Sequence, residues 1–445
     1  DALCSLHKGE IPEANVFLRR MASALPLAKP WEASFYHYLA AWEAFHRGDR
    51  AAASFHAGQR LALSEKVGNP WTEALARLQS AILVFDEGEA DRAEDLLESA
   101  RHMGRESRMR FIDFASSLTG ACFSLRRGEE KAALERLREG VRIGREKGYG
   151  GLYLWCPAML ESVAAKAIEE GIEVQYVTEL IRKAGLVPGD AHRDLEDWPW
   201  PLKIYTFERF GLVKEGKAVR FSRKVQKKPL ALLKALIALG GRDIPEERLT
   251  DILWPETDGD LAHRSLTTTL GRLRQLLGNE KIIRVREGRL TLDSRYCWVD
   301  AWVFELILGK TRHMGSKEVR QAEIGRPLLK AVDLYRGPFL SGEHWALATR
   351  ERLRSKFLRA VEEAGRTLEL SGERVKAIAC YRRGLEVDPL AEGLHRRLIA
   401  CHLHLGENAE AMAAYRRCRE TLSTVLGIAP SPETERLVAG IRHTS

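Results

Sequence analysis

The spacing of apolar residues changes twice along this 445-residue chain. Up to about residue 186 they recur at helical intervals, with few β-branched runs. From Leu202 the period shortens to that of strands: LKIYTF first, then FGLVKEGKAVRF, a hairpin turning at Glu215-Gly216. Helical spacing returns in KKPLALLKALIALGG, where Pro229 suits a first turn and Gly240 an end. That helix is apolar almost all round, which predicts burial. IPEERLTDILWP predicts a second helix, opened by Pro245, Glu246 and Glu247 and stopped by Pro255. KIIRVREGRLTLD predicts two strands across the turn Glu287-Gly288. Ile283, Val285, Leu290 and Leu292 form its inward set, and Arg284, Arg286 and Arg289 point outward or sit at the tip. From Trp298 onward the period is helical again.

Two internal repeats set the organisation. Gly9, Gly48, Gly88 and Gly128 are spaced 39, 40 and 40 apart, and Ala14, Ala53, Ala93 and Ala133 each follow five residues later. Gly171 gives a weaker echo. A period near forty predicts a helix-turn-helix solenoid, with Gly ending one helix and Ala letting the next pack closely. Near the other end, Gly372/Gly406, Ala377/Ala411, Tyr381/Tyr415, Arg382/Arg416 and Arg383/Arg417 are all 34 apart, the tetratricopeptide period. The Tyr residues are expected between repeats and the Arg residues in solvent. A solenoid's concave face suits a peptide, protein or small ligand, or serves as a bare scaffold. Tyr36, His37 and Trp42 are expected in its core or groove wall. Val187–Pro201 has no useful period and holds three Pro, so it reads as a linker docked by Trp198 and Trp200. The expected domains are therefore 1–186, linker 187–201, 202–297 and 298–445.

One stretch, DLAHRSLTTTLGRLRQLLG from Asp260 to Gly278, predicts a helix of about five turns. Leu266, Leu270, Leu273 and Leu277 make one apolar stripe. The other side carries Arg264, Thr268, Gly271 and Gln275, with Thr267, Arg272 and Arg274 on its shoulders. Asp260 is placed to cap the helix and match its positive end. No acid follows it before Gly278. Small residues let a helix approach a surface closely, and Arg suits phosphates and guanine edges.

Charge sharpens that picture. The chain carries a net +8, and residues 202–297 alone hold 20 Lys and Arg against 12 Asp and Glu. The excess of the whole chain is thus concentrated in the middle, which points to a polyanion partner there. The seven Cys residues form no C-x-x-C pair, as expected of reduced thiols in the cytoplasm. The longest apolar run, Leu230–Gly240, is far too short for a bilayer and is broken by Lys234. Asp1 starts no cleavable signal, and the chain opens inside a helical pattern, as a fragment of a longer protein would. No phosphate loop, nucleophile elbow, zinc-protease or dinucleotide motif occurs, so no catalytic residue and no cofactor is expected. His395, His402 and His404 lack the spacing and the acid for a metal site.

The stretches ALLKALIALGG, ERLTDILWP, the core Leu270–Gly278 and the G-R-L wing turn resemble the OmpR-type winged helix, in the version found in SARP-type activators. LYRGPFLSGEHWALATRERL and LGIAPSPETERL resemble the bacterial transcriptional activator domain that follows it there. The forty-residue repeats are similar to the tetratricopeptide-like solenoid of maltose-regulator-type proteins. The resemblance implies a mainly α protein: an N-terminal α-solenoid, a central α+β winged helix with an N-terminal β-sheet, and a C-terminal tetratricopeptide-like α-domain. It implies a DNA-binding transcription regulator of the activator kind, the sequence itself not separating activator from repressor, with helix 260–277 in the major groove and the wing 281–293 beside it. Arg264, Thr267, Thr268 and Arg272 would meet base edges. Lys227, Lys228, Thr269, Arg274, Arg284, Arg286 and Arg289 would hold phosphates. RNA polymerase or other transcription machinery, a second copy on DNA, and a ligand or protein at the first repeats are the implied partners. No stretch resembles a receiver domain, so phosphorelay control is not expected. Related long regulators carry a nucleotide-hydrolysing domain ahead of their repeats, upstream of anything seen here. The alternative is a helical-repeat scaffold whose winged helix makes protein contacts.

Overall fold

The computed structural model describes residues 1–445 except 9, 151–156, 221–226, 315–320 and 440–445. The chain divides into two compact units, Asp1–Pro199 and Trp200–Ser445.

The first unit is a run of antiparallel helices. They are α1 (Ala2–Lys8), α2 (Ile11–Ala24), α3 (Pro30–His46), α4 (Arg50–Val67), α5 (Pro70–Asp86), α6 (Ala90–Glu106), α7 (Arg110–Arg127), α8 (Glu130–Lys147), α9 (Pro157–Glu169) and α10 (Val174–Ala184). The repeat glycines turn the chain with left-handed backbone angles, φ being 78° at Gly48, 94° at Gly88 and 75° at Gly128. Gly9 lies outside the described residues. Ala14, Ala53, Ala93 and Ala133 are all at most 2% exposed, so each helix pair closes on a residue without bulk. Trp42 is core, as expected. His37 and His56 are hydrogen-bonded through their Nδ1 atoms at 2.8 Å, at the wall between α3 and α4. Trp198 is buried in this unit, and Trp200 is buried in the other.

The second unit opens with strands β1 (Leu202–Tyr205), β2 (Gly211–Lys214) and β3 (Lys217–Ala218). The β2–β3 turn places Glu215 at φ 49° and Gly216 at φ 80°, the two positive angles a two-residue hairpin needs. Phe221, the expected end of that hairpin, is outside the described residues. Next come α11 (Lys227–Ala238), β4 (Ile244–Pro245), α12 (Glu246–Leu253), α13 (Gly259–Leu277), β5 (Ile283–Arg286) and β6 (Arg289–Leu292). Then follow β7 (Cys297–Val299), α14 (Asp300–Met314), α15 (Gln321–Leu334), α16 (Leu347–Leu370), α17 (Arg374–Val387), α18 (Glu392–His404), α19 (Asn408–Leu426) and α20 (Pro432–Ala439). The protein is mainly helical, with a tetratricopeptide-like solenoid, a winged helix behind a sheet, and a second tetratricopeptide-like array. No helix among the described residues is long and apolar enough to cross a membrane.

Two strands escape the reading from periodicity. β7 pairs in parallel with β1, Leu202 opposite Cys297, and completes a sheet of order β3-β2-β1-β7. Helical spacing was expected from Trp298, but Trp298 and Val299 are strand. β4 joins the wing hairpin as β4-β6-β5. Both are two or three residues long and find their partners only in the folded chain.

The two halves of this unit are bonded through one carboxylate. Asp300, 3% exposed, accepts from the backbone N–H of Thr206 (2.8 Å), Phe207 (3.1 Å) and Ala301 (2.7 Å) and from the Thr206 hydroxyl (2.5 Å). Phe207 then packs its ring against Phe304, Tyr335 and Phe339. The strap after β1 continues the contact: Glu208 N–H donates to Pro338 O at 3.1 Å, and Leu340 N–H to Thr206 O at 3.0 Å. From α11, Lys234 pairs with Glu343 at 2.7 Å.

In the helical array, Tyr381 and Tyr415 are buried, as the repeat predicts. Arg382 is exposed, but Arg383 is not the solvated residue expected. It lies half-buried and donates to Tyr335 O at 3.0 Å. A side chain that long reaches the preceding loop, and the loop offers a bare carbonyl.

Candidate nucleic-acid interface

The helix α13 is held from beneath by its leucines. Ala262, Leu266, Leu270, Leu273 and Leu277 are buried against α11 and α12. The expected cap is displaced by two residues. Asp258 occupies the N-cap position without a side-chain bond, and Asp260 lies inside the first turn, where its charge still meets the positive helix end. Gly278, at φ 71°, closes the other end.

The outer face offers Arg264, Thr267, Thr268, Gly271, Arg272 and Gln275, all exposed. Thr267 and Thr268 turn their hydroxyls back onto the helix, donating to His263 O (3.1 Å) and Arg264 O (3.0 Å). Each keeps lone pairs free to accept. Arg264 and Arg272 have no acidic partner among the described residues. A solvated helix face normally answers its arginines with Glu at one turn's distance; this face does not.

Gly271 has no internal reason to be Gly. A β-carbon there would meet nothing within 4 Å. A mid-helix Gly costs roughly 1 kcal/mol against Ala, so its use suits a face that something approaches closely.

The remaining expected contacts divide by burial. Lys227, Arg286 and Arg289 are exposed. Arg289 donates one Nη1 bond to Asp243 O at 3.1 Å and keeps the rest of its fork free. Arg286 has no acid partner among the described residues. Arg284 is exposed but lies 3.4 Å from Asp293, which also binds Arg295 at 2.8 Å. Burial opposes ionisation of Asp293, yet the bonds from Arg295 and the charge of Arg284 outweigh it and hold the carboxyl below its ordinary value.

Two expected contacts, Thr269 and Arg274, lie further inward than expected, and a third, Lys228, is exposed but tethered. Thr269 is 6% exposed and belongs to the core side of α13, three residues after Leu266 and four before Leu273. That spacing alone carries the signal. Lys228 gives its ammonium to Leu253 O at 2.6 Å, 5.0 Å from the centre of the Trp254 ring, and so closes the end of α12. Arg274 is half-buried and donates to Ile283 O at 3.1 Å, tying the end of α13 to the root of the wing. In this structure these groups hold the elements of the face in place. In the wing itself, Ile283, Leu290 and Leu292 are buried, but Val285 is 36% exposed because the hairpin tip outruns the core.

Among the described residues no group of three or more His, Cys, Asp and Glu is placed to hold a metal ion. His395 is buried and bonds Pro389 O at 2.9 Å, and His402 bonds Glu407 at 2.6 Å.

Residues 299–442 match the family model described as the bacterial transcriptional activator domain. Regulatory protein AfsR of Streptomyces griseus is 27% identical over 213 residues, covering 46% of this chain and 21% of AfsR. Transcriptional regulatory protein EmbR of Mycobacterium tuberculosis is 28% identical over 225 residues, covering 47% of this chain and 56% of EmbR. The chain thus spans about a fifth of the one relative and about half of the other. The solved structure of M. tuberculosis EmbR in complex with a low-affinity phosphopeptide superposes with a TM-score of 0.45 at 22% identity, over 55% of this chain and 66% of that one.

Proposed function

The chain is a homologue of the SARP-type transcription regulators, and on that premise we propose that it binds promoter DNA in a sequence-specific way and activates transcription. In this reading α13 enters the major groove, with Arg264, Thr267, Thr268 and Arg272 toward base edges. Lys227, Arg284, Arg286 and Arg289 lie along phosphates. Segment 202–297 reads DNA, segment 298–445 meets transcription machinery or a second copy, and segment 1–186 receives a signal, all in the cytoplasm. The observation that supports this most is the outer face of α13: guanidinium groups without acids, above a row of buried leucines. The local charge excess agrees with it.

A gel-shift titration of the full chain on genomic promoter fragments against random duplex tests the reading. Specific fragments should bind at least about a thousandfold more tightly at physiological salt. Equal, weak binding to both would favour the scaffold alternative, to which the exposed Trp31 (58%) and Trp71 (40%) of the first solenoid lend some weight.

Gly271 gives a second check. Gly271→Ala should stabilise the fold by up to about 1 kcal/mol, since the new methyl meets no neighbour. Gly271→Glu should leave thermal stability near wild type and still abolish the gel shift, through bulk and charge at the point of closest approach. Unchanged binding by Gly271→Glu would remove this face from the interface.

A further inference from the structure

The helical array carries a second concave site, on residues that the DNA reading does not use. Where the chain leaves α15 it crosses the first turns of α16 and the last of α17, and a pocket of about 370 Å³ lies between them. Four guanidinium groups line it: Arg336, Arg350, Arg354 and Arg383. Glu351 and Glu386 are the acids in the same wall.

The arginines are not equally committed. Arg350 is a clamp, donating to Phe339 O (2.7 Å), Leu340 O (2.5 Å) and Glu343 O (3.0 Å). Arg354 meets Glu351 and Asp388 only at 3.3 Å each. Arg336 is exposed, with its guanidinium 5.8 Å from the centre of the Tyr205 ring. Arg383 spends one nitrogen on Tyr335 O, and its Nε–H is buried with no acceptor. A buried donor left unanswered is costly, and guanidinium groups gathered in one pocket repel each other. An oxyanion relieves the repulsion, and the planar Arg fork matches phosphate oxygens two at a time. Tyr335, Pro338 and Val387 supply an apolar wall for an organic body. The volume lies within the range of small-molecule sites.

We propose that this pocket binds a small phosphate-bearing molecule of nucleotide size, with Arg336, Arg354 and Arg383 on the phosphate and Tyr335, Pro338 and Val387 against its body. The site reports to the winged helix through its own rim. Pro338 O accepts the Glu208 N–H, and a β-carbon on Gly337 would lie 2.9 Å from that of Glu208. An occupant that stiffens residues 335–338 therefore stiffens the strap after β1.

Thermal unfolding of the full chain, followed by tryptophan fluorescence, tests the proposal with adenosine or guanosine monophosphate, adenosine, and inorganic phosphate as separate probes. A nucleoside monophosphate at a hundred times its Kd should raise the melting temperature by on the order of 5 °C. Adenosine and inorganic phosphate should do much less. The rise should be lost in Arg354→Gln and in the exposed Arg336→Gln, and kept in the double change Arg264→Ala with Arg272→Ala. Three results would overturn the proposal: no rise with either nucleotide, a rise undiminished in Arg336→Gln and Arg354→Gln, or a rise lost in the double variant of α13. A rise with inorganic phosphate equal to that with nucleotide would overturn the assigned size. None of these outcomes bears on DNA binding, so the two readings stand or fall separately.

Discussion

Replacing Asp300 by Ala is expected to cost the second unit at least about 3 kcal/mol. The carboxylate is 3% exposed and answers three backbone N–H groups and one hydroxyl. Alanine removes the acceptor and leaves the donors buried, and each unanswered backbone donor costs about 1–3 kcal/mol. Water does not readily replace it, because Thr206, Phe207 and Ala301 are themselves buried. Asp300→Asn should recover little: its amide nitrogen would turn a donor toward N–H groups already seeking acceptors. Thr206→Val deletes only the hydroxyl, one bond of the set, and should cost about 1 kcal/mol. At roughly 2–4 °C per kcal/mol for a unit of this size, Asp300→Ala should melt on the order of 10 °C lower. Urea unfolding of the full chain measures the loss, and limited proteolysis locates it. Cleavage should appear within residues 200–445 while the helices of 1–199 persist. A loss under about 1 kcal/mol would mean that the ring cluster around Phe207 holds the two halves without the carboxylate.

That carboxylate also marks a limit of the sequence. Asp300 and Thr206 are 94 residues apart, and nothing in either neighbourhood announces the other. β7 is three residues long and carries no period, so its pairing with β1 depends on the fold bringing the two together. Local signals fared better. The turn Glu287-Gly288 was readable because a two-residue hairpin demands positive φ at both positions, and few residue pairs supply it. The forty-residue repeat was readable because Gly and Ala act at fixed places in each helix pair. At the interface, the helical wheel placed Arg264, Thr268, Gly271 and Gln275 outward, with Arg272 on the shoulder, and the structure exposes all five. Thr269 and Lys228 came instead from the resemblance, which names positions without weighing burial, and Arg274 stood on the shoulder of the wheel. Each of the three answers a local demand: Thr269 a core flank, the exposed Lys228 an open helix end, and Arg274 a carbonyl at the wing root.

Removing Arg272 should weaken promoter binding by about 1–3 kcal/mol, up to a hundredfold or so, and relax the preference at one or two base pairs. Its guanidinium is exposed and has no acid to release first, so the whole effect should fall on the complex and none on stability. Arg264→Ala should behave alike at a neighbouring base pair. Arg286 stands on the wing, equally exposed and equally without an acid partner, but near phosphates rather than bases in the proposed complex. Arg286→Ala should therefore lower affinity for every duplex by a similar factor, with the ranking of sequences kept. Salt separates the two roles. Log affinity falls with log salt at about −0.9 per phosphate neutralised, so Arg286→Ala should make the slope shallower by about one. Arg289→Ala should do the same less cleanly, because that side chain also holds Asp243 O. Lys228→Ala supplies the contrast: it opens the end of α12 and should lower the melting temperature while leaving the slope alone. Binding titrations at four salt concentrations on one promoter and one scrambled duplex measure all of this. If Arg272→Ala and Arg286→Ala both keep wild-type affinity and slope, DNA does not lie on this face, and the unanswered arginines of α13 need another polyanion.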